Sequence, residues 1–186
     1  EADLIELRAN RVALGLGTVA NGNNTTVMGS GTKASGGGAT AMGSNTSASG
    51  DVSTAMGYQS SASGDFSTAM GSSHASGELS TAMGTSFAQG FAATAMGDNS
   101  TASGTGATAM GRTTFAQGFA ATAMGELSEA TNPYTLAAGR RAKASHTGSF
   151  VWTDSQNADF ASTANDQFNI RAKGGVRLSE DTPFIS

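Results

Sequence analysis

Ser60-Ser61-Ala62-Ser63-Gly64-Asp65-Phe66-Ser67-Thr68-Ala69-Met70-Gly71 decides the fold, because its pattern returns along most of the chain. All eight methionines occur as Met-Gly, at Met28, Met42, Met56, Met70, Met83, Met96, Met110 and Met124, spaced by 14 residues except for two spacings of 13. The same step reaches Leu14 before the first of them and Ala138 and Trp152 after the last, so the period runs from Val12 to Trp152. Eight residues before each Met-type position stands an alanine, from Ala20 to Ala144. Fourteen residues are too few for a helical-repeat unit but suit a coil of two short strands and two tight turns, with glycine at the corners. The expected fold is therefore all-β: a parallel β solenoid of about 14-residue rungs, roughly 48 Å long over its ten intervals. The 13-residue repeats lose their residue between Met70 and Ala75 and between Met83 and Ala88, which places the looser turn on that leg.

Strand alternation sorts the columns by face. Two residues before each Met stands a threonine, Thr26 to Thr122, and the column between them is Ala or Val, from Ala13 to Val151. The small column lines the coil, so Thr and Met point outward. On the other leg the column Val19, Lys33, Ser47, Ser61, His74, Phe87, Thr101, Phe115, Glu129 and Lys143 is variable and faces solvent. A coil lined by Ala, Ser and Thr buries too little to stand alone, and eight exposed methionines call for a cover. Self-association of three copies supplies it, with Leu14, the eight methionines and Trp152 as the trimer core. The competing reading is that Met fills the coil's own interior.

Composition supports an unusual architecture. The 186 residues include 26 glycines, only 6% aromatic and 13% charged residues, too few large side chains for an ordinary globular core. Two prolines and a net charge of −4 do not describe a disordered chain either. Without cysteine there is no disulfide and no thiol chemistry. No stretch reaches the roughly 18 apolar residues of a membrane span, and residues 1–10 lack a signal-peptide pattern. Arg112 is the sole Lys or Arg between Lys33 and Arg140, which argues against nucleic acid as a partner.

At Asn10-Arg11-Val12-Ala13-Leu14-Gly15, Ser53-Thr54-Ala55-Met56-Gly57 and Ser60-Ser61-Ala62 the chain resembles the head domains of trimeric autotransporter adhesins, the YadA-like haemagglutinin-type repeats. The resemblance covers about three quarters of the chain, with Met where the family more often has Ile. It implies a left-handed parallel β-roll and a homotrimer on a bacterial surface. Such a head attaches cells to host cells, extracellular matrix or other bacteria and is anchored elsewhere to the outer membrane. The division expected is a lead-in at 1–11, the β-roll head at 12–152 and a C-terminal cap at 153–186. Within that cap Gln167 to Ala172 and Val176 to Leu178 suggest a hairpin turned by Lys173-Gly174-Gly175. Phe150 and Trp152 are expected to cap the stack. The C-terminal residues also look like segments of tail-fibre-like proteins, and the whole reads as an excised head.

Signs of other chemistry are sparse. Nucleophilic catalysis needs a base beside the nucleophile, yet His74 and His146 are the only histidines and His74 falls in the solvent-facing column, so no enzyme is expected. Asp51, Asp65 and Glu78 form an outer column that is either a weak cation site or a solvated acidic edge. Gly15-Leu16-Gly17-Thr18-Val19-Ala20 imitates a dinucleotide fingerprint without the helix that motif needs. No cofactor or metal is expected. Phe87, Phe91, Phe115 and Phe119, from two copies of Phe-Ala-Gln-Gly-Phe-Ala-Ala-Thr-Ala-Met-Gly, form a candidate ligand face, with packing between subunits at a turn as the alternative. Arg140, Arg141, Lys143, Arg171, Lys173 and Arg177 gather positive charge at the C-terminal end, as an acidic-ligand surface or an ion-paired cap. Function is thus expected to be adhesion, with a tail-fibre-like or secreted trimeric fibre as the alternative. An ice-binding solenoid, its threonines facing water, is the remote third.

Overall fold

The computed structural model describes residues 10–178 together with the backbone strand Ile5–Arg8. The described chain is all-β, wound as a parallel β solenoid. Each rung has a long leg such as Thr54–Tyr58 and a short leg such as Ser61–Ala62, and each leg pairs in parallel with its counterpart in the next rung. Register is strict. Met28 pairs with Met42, Met42 with Met56 and Met56 with Met70, and the shortened rungs keep the match, with Met70 opposite Met83 and Met83 opposite Met96. At the front, Ile5–Arg8 pairs antiparallel with Arg11–Leu14, so the first long leg is not left as an open sheet edge.

The interior is as thin as the column reading requires. Ala41, Ala55 and Ala69 on the long leg face Ala48, Ala62 and Ala75 on the short one, all without accessible surface, and the largest fully buried side chains are Val27 and Val151. Some of the buried hydroxyls bond the winding backbone: Ser73 Oγ lies 3.0 Å from the Met70 carbonyl and 2.8 Å from that of Ala82, and Ser86 Oγ 2.9 Å from Met83 and 2.8 Å from Ala95, whereas those of Thr32, Thr46, Ser67, Ser80 and Ser149 have no protein partner among the described residues. Where it forms, this bonding offsets the cost of burying the hydroxyl in so narrow a space.

The glycines divide into two kinds. Gly57, like the other glycines that follow Met, takes a positive φ of 114°. Gly64, after the Ala-Ser pair, is held by close approach instead: a Cβ there would lie 2.1 Å from the Gly77 carbonyl oxygen. The left-handed residue of that second corner comes two positions later, in a column that includes Asn24, Val52, Phe66, Leu79 and Tyr134. At the first corner the left-handed column reads Gly17, Gly31, Asn45, Gln59, Asn99, Thr113, Leu127 and Arg141, and the shortened rungs have no member of it. The deleted residue is therefore the left-handed one, and Thr81–Ala88 runs through that corner as a single strand.

One expectation fails at the C-terminal end. Phe168–Arg171 is not half of a hairpin; it pairs in parallel with Phe150–Thr153, setting Phe168 on Phe150 and Ile170 on Trp152. The stack thus continues one rung past Trp152, across an 18-residue step, and residues 172–178 hold no strand. The sequence hid this rung because its longer step breaks the period. Its fixed point is Arg171, which bonds Asp154 and the carbonyls of Gln156 and Ala158 in the inserted loop.

Candidate functional site

With the interior filled by small side chains, any site lies on the outward columns. The long leg presents Thr and Met in alternation with the buried alanines, so the methionines lie outside the coil and do not fill it. In the single chain Leu14 and Met42, Met56, Met70, Met83, Met96, Met110 and Met124 are half-buried against their stacked neighbours, and Met28 is 40% exposed. The same file passes through Ala138 to Trp152, also 40% exposed, and to Ile170. There the lining changes to large apolar side chains: Phe150, Trp152, Phe168, Ile170 and Val176 line an open surface pocket of about 280 Å³.

The four candidate phenylalanines do not form one cluster. Phe87 and Phe115 point out of the short leg, half-buried, with Thr101 on the rung between them. Phe87 stacks on His74 with centroids 5.2 Å apart. Phe91 and Phe119 lie at the second corner and are exposed, and Phe119 meets Tyr134 edge-on at 5.5 Å. This corner carries apolar residues that the sequence analysis passed over: Val52, Phe66 and Leu79 stand exposed on three successive rungs leading to Phe91. Their signal was available, since apolar residues recur two or so places after the buried glycine, where turns ordinarily carry polar ones.

The acidic column has a structural duty. Asp51 accepts the Gly37 amide hydrogen at 2.7 Å and Asp65 accepts that of Asp51 at 2.8 Å, each carboxylate joining two rungs. Among the described residues no three or more metal-ligating side chains come together. Four of the six basic residues of the C-terminal end are ion-paired: Arg140 reaches Glu126, as does Arg112 from an earlier rung, Arg141 lies 3.2 Å from Asp159, and Lys143 lies 2.5 Å from Glu129. Arg171 is 3.3 Å from Asp154 and its guanidinium lies over the Phe160 ring. The Lys173 amide, then the Gln156 side chain, hold the Asp154 carboxyl down to about 2. His146 Nδ1 lies 2.9 Å from Ser162 Oγ, which also accepts the Ser145 amide hydrogen, so this pair ties neighbouring rungs together.

Residues 12–32, 34–51, 48–73, 88–113 and 116–142 match the YadA head domain repeat, which together is more than half of the chain. The chain belongs to the YadA head domain family. The unmatched interval 74–87 coincides with the shortened rungs, where the 14-residue spacing is interrupted. No curated protein is detectably similar to the head. YadA heads are structural adhesin modules, not enzymes, and belong to surface-exposed trimeric autotransporters. No helix among the described residues of this head is long and apolar enough to cross a membrane.

Proposed function

We propose that the chain is the trimeric head of a bacterial surface adhesin, attaching cells to host cells, extracellular matrix or other bacteria. The observation that carries this reading is the methionine file, an apolar stripe over successive rungs outside a coil whose own interior is alanine, serine and threonine. Three copies bring Leu14, the eight methionines and Trp152 to one axis and give each thin rod the core it lacks. The rod then displays its short legs and corners outward, where Phe91 and Phe119, with Phe87 and Phe115 on the adjoining face, are offered to the receptor. Repetition on three chains turns weak contacts into firm attachment by multivalency. The head sits outside the cell, its anchor supplied through the outer membrane, and works without a cofactor.

Light scattering tests the assembly: a mass of about three times the 18.4 kDa chain is expected, and a monomer would refute the trimeric head. Binding to immobilised matrix proteins and glycans tests attachment. Capture that is lost when Phe91 and Phe119 become serine supports the proposed face.

A further inference from the structure

Eight successive rungs of the proposed seam carry the same outward pair, from Thr26 and Met28 to Thr122 and Met124. Sliding one copy along another by a rung, about 4.8 Å, exchanges like for like and uncovers only the ends. Such a seam specifies association without specifying alignment. After Met124 the monotony stops: the outward pairs become Leu136 with Ala138, Phe150 with Trp152, and Phe168 with Ile170.

We propose that this aromatic end, Phe150, Trp152, Phe168 and Ile170, is a register key that seats against the same end of sister chains and aligns the three rods. The proposal rests on the trimeric reading above. Its occupant is a second copy of this chain because the pocket of about 280 Å³ is the direct continuation of the methionine file, so whatever covers one covers the other. Phe150 and Phe168 stack at 4.8 Å, while Phe168 remains 70% exposed within one chain. Around a rotation axis equivalent side chains meet at one height. Aligned copies bury all their aromatics together, and the small Ala138 one rung before leaves room for the bulk of Trp152. A slip of one rung sets Trp152 against Ala138 or Ile170 and leaves a Phe168 beyond its partner's end. The key is tied to the inserted loop, since Arg171 joins the last rung to Asp154 and lies over Phe160.

The chain has no cysteine, so crosslinking reads alignment directly. Met56→Cys and Met83→Cys chains, refolded together, place their thiols two rungs apart in aligned rods, about 10 Å, beyond the roughly 7 Å Cα separation a disulfide spans. Matched Met56→Cys chains give the reference product. With the key intact the offset pair is expected to yield no crosslink. With Phe168→Ser, and more so with Trp152→Ser added, its yield is expected to rise to that of the matched pair while light scattering still reports a trimer. Offset crosslinking with the key intact, or none without it, overturns the key. A monomeric double variant also overturns it, by making the aromatics a source of affinity and not of alignment. A monomeric unsubstituted chain instead removes the trimeric reading beneath it.

Discussion

At Gly64 a Cβ would stand 2.1 Å from the Gly77 carbonyl oxygen, and at Gly57, where φ is 114°, 2.6 Å from that of Gly71. No rotation of a side chain relieves such contacts, because both partners are backbone, so rung-to-rung distance itself requires glycine. The left-handed corner is different. Val52 occupies it with φ of 55°, a conformation that β-branched residues avoid at a cost of about 1–3 kcal/mol, while the equivalent Asn24 suits it. Replacing Val52 with Asn is expected to stabilise the chain by about 1 kcal/mol, visible as a higher midpoint in urea unfolding. An unchanged or lower midpoint would show that the exposed Val52 side chain has a packing role. The glycine that follows each Met was legible from its unvarying place. The left-handed column was not, because Val, Phe, Leu and Tyr hold positions where turns usually show Gly or Asn.

Among the elements, the long legs follow directly from alternating small and large residues, and the corners absorb the variation in length. Dropping a residue from the first corner removes a left-handed turn position and leaves every Met in register. The final rung, Phe168–Arg171, depends on a polar anchor. Asp154 accepts hydrogen bonds from the Lys173 amide, the Gln156 side chain and amide, and the Arg171 guanidinium, which hold its carboxyl at about 2, below the ordinary 3.8. A depressed pKa means that this anchor stabilises the rung above about pH 4 and is lost as pH falls toward 2. Trp152, the only tryptophan, lies on the adjacent rung and reports the change. Its fluorescence is expected to shift between about pH 4 and 2, and Asp154→Asn to show the shifted spectrum already at pH 7. Identical titrations of the two proteins would remove Asp154 as the anchor. Nothing in the spacing announced this rung, because its partner lies 18 residues away and the bonds that hold it come from an irregular loop.

Over the whole molecule, one winding of alanines gives continuous hydrogen bonding but little apolar burial, so the rod's stability turns on what covers its outer columns. Met70→Asp places a charge in the middle of the methionine file. It is expected to convert the assembly to monomers at micromolar concentration, by the loss of about 1.5–3 kcal/mol of burial per chain and the added cost of a desolvated carboxylate. Sedimentation reads the result, and a variant that keeps the parent mass would mean that the file faces solvent. By itself the sequence determined the solenoid, its period, its inner alanines and the outward Thr and Met columns, because a one-dimensional stack repeats its contacts at a fixed spacing that any single chain displays. Only the tertiary structure decided that the apolar corner is left-handed, which carboxylates join rungs through backbone amides, how the C-terminal bases pair, and the aromatic pocket beyond Trp152. Those features depend on backbone conformation and on which side chain reaches which neighbour, and the period leaves both open even where, as between Gly37 and Asp51 or Asp51 and Asp65, the separation is the repeat itself.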